Sequence, residues 1–238
     1  MTSTYMTTLK AASSEHCTIP SITFSGDFEI RMEFYAAGLP AGNQYLVGGD
    51  GTAGAGKFTV YSTAAGDIKI QLWNGSILRY LTTANPSGGE VELIVVSRVG
   101  GLWTLSVDGV TNTSSESVGD NNLAFIGRFG TTYLDGVVRN IRFYEAGVLK
   151  RRYKFDETWS GGSTTLADSS GFGQDGTAVN ITDADAENFT YHASTYEWWN
   201  DGETIKILTN EPPATALRRG AMTSSSMLGI ELLPIDLS

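Results

Sequence analysis

Hydrophobic and polar positions alternate in many short segments of this chain, and residues 29–34 give the clearest example. Ile30, Met32 and Phe34 follow one another with a period of two, and a charged residue separates each from the next. Because successive side chains of a strand point to opposite faces, the pattern predicts an antiparallel strand. One face of that strand would lie in the core and the other would meet solvent.

An Asn-Gly pair at residues 74–75 separates two further alternating segments. This dipeptide is a strong signal for a two-residue type I′ turn, so the sequence predicts a β-hairpin here. In a regular hairpin of this kind, Leu72 pairs with Ile77 and Ile68 pairs with Leu81. The opposite face of the hairpin would carry Trp73, Leu78, Tyr80, Lys69 and Gln71.

Residues 123–144 predict two strands joined by a Gly-rich turn. In the second strand, Val137, Ile141 and Phe143 fall on one face with a period of two. Gly is abundant, Pro is scarce, and no long segment has helical spacing of apolar residues, so we expect many short strands joined by tight turns. Further strands are predicted at residues 58–61, 91–96, 102–107, 149–155 and 204–208. The predicted fold class is all-β.

The chain is acidic, with a net charge of −10 and a pI near 4.6. Phosphate backbones and anionic membranes are bound through a dominant basic surface, so neither nucleic acid nor a membrane is expected as a partner. Cys17 is the only cysteine, which excludes an internal disulfide and a cysteine metal cluster. The N-terminus lacks a secretory signal, and no segment approaches the ~20 apolar residues of a membrane span.

Catalytic and nucleotide-binding motifs are incomplete in this sequence. Residues 51–58 nearly match a P-loop, but Phe58 stands where Ser or Thr would hold magnesium, and a predicted strand follows in place of a helix. His16 and His192 are the only histidines, and no Gly-x-Ser-x-Gly motif accompanies them. A strand that aims two acids about 5 Å apart, as retaining glycoside hydrolysis needs, is also missing. We therefore expect no enzymatic activity.

A short acidic string at residues 183–187 has three interpretations. A solvated acidic loop is the simplest. Carboxylate oxygens are also the ligands that Ca²⁺ prefers, so Asp183, Asp185 and Glu187 are candidate calcium ligands. A catalytic role is the third, although Asp stands where the first Glu of such a string is needed. Apart from calcium, no cofactor is expected.

Several motifs, taken in order, resemble one known superfamily. Residues 10–20 and 24–34 are similar to its opening exposed strand and its Ile-Pro and Ser-Gly-Asp-Phe pattern. Residues 102–109 are similar to its central Trp and Val-Asp-Gly hairpin. Residues 153–177 are similar to its Phe-Asp-Glu and Asp-Ser-Ser-Gly segment. Over residues 9–182, this order resembles the laminin-G-like modules of the concanavalin A-like lectin and glucanase superfamily.

The resemblance implies a concanavalin A-like jelly-roll β-sandwich of two antiparallel sheets, followed by a C-terminal extended arm. The Phe-Asp-Glu segment commonly opens such a module, whereas here it closes one. This permuted order is similar to that of phage tail and capsid proteins in the superfamily. The fold serves lectins, enzymes and structural proteins alike, so the fold does not by itself determine the function.

Three segments are predicted: the sandwich over residues 1–182, closing strands or a hairpin packed on it over residues 183–210, and the arm over residues 211–238. The arm ends in an apolar run that cannot fold alone. It would dock either on its own domain or on the sheet edge of a neighbouring subunit. The candidate docking residues are Leu228, Ile230, Leu232, Leu233, Ile235 and Leu237.

Two aromatic positions are candidate glycan platforms, because flat rings stack on sugar C–H groups. The first is Trp73 with Tyr80, where Lys69 and Gln71 would bind hydroxyl groups. The second is Trp198. Alternatively, the aromatic face around Trp73 is covered by the C-terminal arm or by another subunit.

The sequence thus predicts a non-catalytic virion surface component of a bacteriophage, such as a capsid decoration or tail-associated protein, assembled in the host cytoplasm. Its partners would be other virion proteins, further copies of itself and a cell-surface glycan. A stand-alone glycan-binding lectin domain is the alternative. A glycoside hydrolase fits the sequence least well, because it lacks the paired acids.

Overall fold

The structure is a computed structural model of the 238-residue chain. The residues it describes are 5–7, 9–35, 42–49, 56–74, 77–83, 92–115, 121–155, 159, 164–182, 186–188, 197–200 and 205–208. The chain divides into two compact units, Met1–Asn188 and Phe189–Ser238.

Short strands dominate the described residues, as the alternating pattern predicts. In chain order they are β1 Tyr5–Thr7, β2 His16–Phe24, β3 Phe28–Tyr35, β4 Gln44–Gly48, β5 Lys57–Ser62, β6 Ile68–Asn74, β7 Ile77–Thr83, β8 Glu92–Val99, β9 Leu102–Val107, β10 Val110–Ser114, β11 Asn121–Ile126, β12 Arg128–Phe129, β13 Thr132–Tyr133, β14 Val137–Glu145, β15 Val148–Tyr153, β16 Thr165–Leu166, β17 Gly176–Val179, β18 Ala186–Asn188, β19 Glu197–Asn200 and β20 Ile205–Leu208. One 3-10 turn covers Ala11–Ser13.

Two large sheets form the first unit. The six-stranded sheet has the order β10-β9-β8-β3-β14-β15, and the eight-stranded sheet has the order β16-β17-β2-β11-β4-β5-β6-β7. Neighbouring strands in both orders are antiparallel, with one extra parallel contact between β11 and β5. The predicted jelly-roll β-sandwich of two antiparallel sheets is therefore confirmed. The small pairs β1-β18 and β12-β13 complete this unit.

The core lies between the two sheets and is apolar. Strand β3 contributes Ile30, Met32 and Phe34 to it, as predicted from their alternation. Strand β9 contributes Trp103, whose ring lies edge-on to those of Phe28 and Phe58. Burial of these side chains is the main source of stability, at roughly 25 cal/mol for each Å² of apolar surface removed from water. Cys17 is buried within the same core.

Strand β14 departs from the predicted alternation. Between Arg139 and Arg142 its register against β3 shifts, because two residues lie opposite one, and Asn140 adopts a left-handed φ of 50°. This bulge places Val138, rather than Val137, in the core cluster with Ile141 and Phe143. The prediction that Val137 shares their face is wrong, since a period of two cannot continue through an inserted residue.

The predicted hairpin of residues 68–81 forms, but its register differs by two residues. Trp73 pairs with Leu78 and Asn74 pairs with Ile77, so residues 75–76 connect the strands in place of residues 74–75. Leu72 therefore lies opposite Arg79 and not opposite Ile77. Along β6, the buried Ile68, Ile70 and Leu72 alternate with the half-buried Lys69 and Gln71, as predicted.

The segment that closes the sandwich lies beside the N-terminal strand. Strand β17 pairs with β2, and β16 pairs with β17 at the sheet edge. The loop between β16 and β17 is organised by Asp168, whose carboxylate accepts hydrogen bonds from the backbone N–H groups of Arg152, Ser170 and Gln174 and from the Ser170 hydroxyl. The Asp-Ser-Ser-Gly motif thus stabilises the loop between β16 and β17 in this chain through these hydrogen bonds.

In the second unit, the structure describes one antiparallel strand pair, β19-β20, in which Trp198 pairs with Ile207. It falls within the predicted segment 183–210, and how this segment relates to the sandwich stays a prediction. The C-terminal arm, residues 211–238, lies outside the described residues. No helix in the described part of the chain is long and apolar enough to span a bilayer.

Candidate functional site

Aromatic rings stack across the outer face of the eight-stranded sheet. The Phe129 ring lies nearly parallel to that of Trp73, at 5.3 Å between centroids and 23° between planes. The ring of Tyr45 also lies 5.3 Å from that of Phe129, tilted by 30°, and 5.2 Å from that of Tyr61, tilted by 32°. Four rings from four different strands therefore form one continuous cluster, in which the rings of Trp73 and Phe129 are stacked.

A small hairpin, β12-β13, brings Phe129 onto this face. Gly127, with a φ of 77°, begins it, and a Cβ there would lie 2.5 Å from Leu9 Cδ1. The hairpin then crosses strand β4 at Gly48, where a Cβ would lie 2.8 Å from the Arg128 backbone oxygen and 3.1 Å from Phe129 Cδ2. A side chain at Gly48 would therefore force the hairpin away from the sheet. At Gly127 the end of the Leu9 side chain would have to move, and the positive φ would strain any other residue.

Arg128 links the hairpin to a second aromatic group. Its guanidinium carbon lies 4.8 Å from the ring centroid of Phe125 and 5.7 Å from that of Tyr133. Its Nε donates a hydrogen bond to the Gly130 backbone oxygen at 2.7 Å. Cation–π contacts of this kind contribute roughly 0.5–1 kcal/mol each at partly exposed sites, so Arg128 is held in place within the group.

His16 lies beneath this group and is a neutral acceptor. Its Nδ1 lies 2.9 Å from the Ser14 backbone oxygen and therefore carries the proton. Its Nε2 then accepts from Arg128 Nη1 at 3.2 Å. Burial lowers the pKa of the imidazole, the hydrogen bond to Ser14 raises it, and the nearby Arg128 charge lowers it, with a net shift downward.

We define the aromatic surface as Tyr45, Phe125, Arg128, Phe129 and Tyr133, all of which are half-buried. Each side chain presents part of a ring or guanidinium to solvent and is fixed by its neighbours. Flat rings with one apolar face and a polar rim suit ligands that combine C–H surfaces with hydroxyl groups. Because these groups are already ordered, little side-chain entropy would be lost when a ligand binds.

The residues predicted around Trp73 share this side of the sheet. Lys69 and Gln71 are half-buried and alternate with the fully buried Ile70 and Leu72. Tyr80 lies opposite Gln71 in strand β7. Trp73 itself is only 8% exposed, because Phe129 covers it. Its ring is therefore buried and is not itself an open platform; within the described residues Phe129 of the β12-β13 hairpin stacks on it. Contact of the arm or of another subunit with this face stays a prediction.

Several predicted residues cannot be placed in a site. Trp198 and Glu187 lie in strands β19 and β18, and the structure describes only their backbone pairing. Asp183, Asp185 and the arm residues Leu228, Ile230, Leu232, Leu233, Ile235 and Leu237 lie outside the described residues. The calcium, second-platform and docking roles of these residues stay predictions.

Sequence patterns contain little indication of the aromatic surface. Tyr45 lies in a segment for which no strand is predicted. The other members come from one Gly-rich stretch, residues 125–133, whose glycines predict a turn between strands. The available signal was its density of rings and glycines: two Phe, one Tyr, one Arg and two Gly in nine residues. Such a stretch can form a short aromatic hairpin as well as a turn.

The buried acids of the described residues have structural partners. Glu33 Oε2 accepts from Arg139 Nε at 2.6 Å, and Glu15 Oε2 accepts from the Lys10 backbone N–H at 2.7 Å. Asp168 is satisfied by its own loop, as described above. Within the described part of the chain, no group of three or more His, Cys, Asp or Glu side chains is placed to hold a metal ion.

No protein-family model matches the sequence, and no curated protein matches it. Among solved structures, the chain is similar to domains LG4-5 of the mouse laminin α1 chain, at 16% identity and a TM-score of 0.42, over 57% of this chain and 43% of that one. It is also similar to the carbohydrate-binding module CBM40 of the Ruminococcus gnavus IT-sialidase bound to α2,3-sialyllactose, at 17% identity and a TM-score of 0.40, over 51% and 77%.

A third similar structure is a SAP-like pentraxin from Limulus polyphemus, at 12% identity and a TM-score of 0.40, over 54% of this chain and 69% of that one. The similarity to these three structures concerns the fold alone. At these identities and TM-scores, the similarity gives no information about ligand or activity.

Proposed function

We propose that this protein is a non-catalytic β-sandwich binding module that binds a glycan at the aromatic surface. The observation that carries this proposal is the set of half-buried rings Tyr45, Phe125, Phe129 and Tyr133 on and beside the β12-β13 hairpin, with the Arg128 guanidinium over Phe125 and Tyr133. Sugar rings stack on such faces through their C–H groups, and the guanidinium group and the phenol hydroxyls would donate hydrogen bonds to sugar oxygens.

The contacts of the acidic residues support a non-catalytic function. Glycoside hydrolysis needs two carboxyl groups that face a common ligand, one of them able to give up a proton. Among the described residues, Glu33 is held by Arg139 and Asn140, and Asp168 is held by four donors of its loop. The hydrogen bonds to Asp168 outweigh its burial and lower the pKa of its carboxyl, which opposes a role as a general acid.

Tryptophan fluorescence during titration with a panel of neutral oligosaccharides tests the proposal. Phe129 separates Trp73 from the ligand by one ring, so binding should change the Trp73 emission, and a Trp73→Phe variant should lose that change. Replacement of Tyr45 or Tyr133 by Ala should weaken binding about tenfold, which corresponds to the loss of one stacked ring.

The matched control for these variants is Phe172→Ala. Phe172 is 56% exposed in the loop between β16 and β17, outside the aromatic surface, so its removal should leave the affinity unchanged. Saturable binding that is equally strong in all three alanine variants would contradict the proposed site. Steady product release from the panel would contradict a non-catalytic function.

A second proposal concerns the larger assembly to which this module belongs. The permuted closing motif and the apolar run of residues 228–237 favour a bacteriophage virion component that docks on neighbouring subunits and on copies of itself. Light scattering of the full chain, and of a chain without residues 226–238, tests this. Loss of oligomers and of particle attachment on truncation is the expected result. Unchanged assembly and attachment would rule out the arm as a docking element.

A further inference from the structure

Arg128 is the charged member of the aromatic surface, and its hydrogen-bond partners are neutral. Its Nε donates to the Gly130 backbone oxygen at 2.7 Å, and its Nη1 donates to His16 Nε2 at 3.2 Å. Within the described part of the chain, no carboxylate forms an ion pair with its guanidinium group. The positive charge of Arg128 is therefore uncompensated at this surface.

One end of the guanidinium group is accessible to solvent. Among the described residues, the buried side-chain atoms that lack a hydrogen-bond partner are Thr83 Oγ1, Trp103 Nε1 and Asn122 Oδ1. Arg128 Nη2 does not belong to this set, although it makes no hydrogen bond to the described residues. Its two N–H groups therefore face solvent, and an oxygen of a ligand can accept from them.

Two rings hold the guanidinium group at a fixed position. Its central carbon lies 4.8 Å from the ring centroid of Phe125 and 5.7 Å from that of Tyr133. Tyr133 also pairs with Arg128 across the β12-β13 hairpin. An arginine ordered in this way loses less side-chain freedom on binding than a flexible surface cation does.

The pKa of His16 reflects the charges around Arg128. Burial lowers this pKa, the hydrogen bond to Ser14 raises it, and the Arg128 charge lowers it. A carboxylate close to the imidazole would raise the pKa, and among the described residues Arg128 is the charged group that shifts it. The local charge is therefore positive, in a chain whose net charge is −10.

The charge of Arg128 and the stacked rings lie on two sides of one short strand. Arg128 and Phe129 are consecutive residues of β12, and successive side chains of a strand point to opposite sides. Phe129 stacks on Trp73, whereas Arg128 lies over Phe125. A ligand that contacts both must extend across the hairpin, as an oligosaccharide of two or more units does.

We propose that the aromatic surface selects oligosaccharides that contain a uronic acid, with Arg128 Nη2 donating to the carboxylate while a neighbouring sugar ring stacks on Phe129. This specificity rests on the glycan binding proposed for the same surface and adds the class of substrate. The carboxyl carbon of a uronic acid is bonded directly to the sugar ring, so charge and stacking faces lie close together in the ligand.

Charge-assisted hydrogen bonds from a guanidinium group to a carboxylate are roughly twice as strong as neutral ones. The single uncompensated charge of Arg128 matches a single carboxylate. Because the whole chain carries a charge of −10, its other surfaces would repel a long polyanion. The expected ligand is therefore a short oligosaccharide with few carboxylates.

Calorimetric titration with matched disaccharides tests this specificity. Cellobiouronic acid has a carboxylate where cellobiose has a hydroxymethyl group, and digalacturonic acid has the same relation to galactobiose in both units. In at least one pair, the acidic disaccharide should bind about tenfold more tightly than the neutral one, as expected for a hydrogen bond to a charged group. Arg128→Gln should abolish this preference, and Arg128→Lys should keep part of it, because lysine retains the charge without the planar donor group.

Two measurements keep an effect on the hairpin apart from an effect on the ligand. The preference is a ratio of two affinities, so a displaced hairpin that weakens both disaccharides leaves the ratio unchanged. The Trp73 emission of Arg128→Gln shows whether Phe129 is still in place. The matched control is Lys154→Gln, which removes one positive charge from an exposed position beside strand β15 and should leave the preference unchanged.

The outcomes separate this specificity from glycan binding itself. Neutral disaccharides that bind as tightly as their acidic partners would overturn the specificity and leave glycan binding intact. The same preference in the wild type and in Arg128→Gln would also overturn it. Triglutamate carries carboxylates without sugar rings, so binding as tight as that of the acidic disaccharides would overturn it as well. If no disaccharide bound, glycan binding and the specificity would both be contradicted.

Discussion

Arg128 Nη1 lies 3.2 Å from His16 Nε2, and this contact requires a neutral imidazole. The other ring nitrogen is already a donor to the Ser14 backbone oxygen, so Nε2 can only accept. The hydrogen bond therefore connects the edge of the sandwich, at the first residue of β2, to the hairpin that carries Phe129. Protonation of His16 would therefore remove this hydrogen bond and affect the position of the hairpin that carries part of the aromatic surface.

Acidification should therefore weaken the fold around the hairpin. The folded pKa of His16 lies below its usual value of 6.5, mainly through burial, so the unfolded chain binds more protons between that value and the lowered one. Stability is then fully present above about pH 6.5 and declines as the pH falls toward the folded pKa. Urea unfolding at several pH values measures this decline.

The control for the pH prediction is His16→Gln. Glutamine cannot titrate, so the variant should lose the decline below pH 6.5, although it will be less stable at neutral pH. His192 is common to both chains. If the two proteins lost stability in parallel over this range, protonation of His16 would not be the cause.

A methyl group at Gly48 should displace the β12-β13 hairpin. Its Cβ would meet the backbone oxygen of Arg128 at 2.8 Å, and backbone atoms cannot move aside cheaply. We expect Gly48→Ala to cost about 1–3 kcal/mol of unfolding free energy, as overpacking usually does, and to alter the Trp73 emission. The control is Gly147→Ala, where nothing lies within 4 Å of the added Cβ but φ is 77°. This variant should therefore lose stability only through backbone strain.

The Trp73 emission spectrum distinguishes displacement of the β12-β13 hairpin from backbone strain alone. Strain at Gly147 lowers stability without moving Phe129, so the native spectrum of that variant should match the wild type. An unchanged native spectrum for Gly48→Ala would mean that the hairpin does not depend on close approach to β4.

Two ion pairs of strand β3 should differ sharply in their contributions to stability. Glu33 is 3% exposed and its partner Arg139 is 11% exposed, whereas the Glu29 and Arg31 side chains are 32% and 37% exposed. Removing one partner of a buried pair leaves an uncompensated charge and costs roughly 3–5 kcal/mol. An exposed pair contributes roughly 0–1 kcal/mol.

Denaturant unfolding of Glu33→Gln and Glu29→Gln makes this comparison. The first variant should be destabilised by several kcal/mol and the second by less than about 1 kcal/mol. Similar costs for the two substitutions would show that Glu33 is more hydrated than its burial indicates.

Asp168 should stabilise its loop only while ionised. Burial raises the pKa of this carboxyl, but hydrogen bonds from Arg152, Ser170 and Gln174 outweigh burial and lower it below 3.8. The stabilisation is therefore present above about pH 3.8 and is lost as the pH falls below it. We expect Asp168→Asn to cost about 2 kcal/mol at neutral pH, since a charge-assisted acceptor is replaced by an amide.

Hydrogen exchange of the Gln174 and Ser170 amides measures the effect locally. Both amides should lose protection in Asp168→Asn, and Asp175→Asn is the control, because Asp175 accepts only from the Asp168 backbone N–H in this loop. Retained protection of both amides in Asp168→Asn would contradict the structural role of this residue.

Local patterns are enough to predict the class of fold and many of the strands, but not β4, the strand of Tyr45. Strand β3 follows the alternation of Ile30, Met32 and Phe34, and strand β9 coincides with residues 102–107. These strands could be predicted because their alternation is a local property of the sequence. The jelly-roll architecture is implied by the resemblance of several motifs, in their order, to the concanavalin A-like superfamily.

Features that depend on an inserted residue or on distant contacts could not be predicted in this way. The bulge at Asn140 arises where β14 pairs with β3. It moves Val137 to the opposite face of the strand from Ile141 and Phe143, and no pattern in the neighbouring sequence indicates it. Trp73 is covered by Phe129, a residue far along the chain, so the alternation that placed Trp73 on the outer face could not show that it is buried. The aromatic surface is assembled from strands that meet only in the folded sandwich.

Chemical-shift mapping of the backbone amides during titration with a bound oligosaccharide tests the central claim most directly. The account predicts that the largest shifts cluster at Tyr45, Phe125, Arg128, Phe129 and Tyr133, with little change on the six-stranded sheet for a neutral sugar. Shifts confined to other surfaces of the sandwich, with these five amides unmoved at saturation, would contradict it.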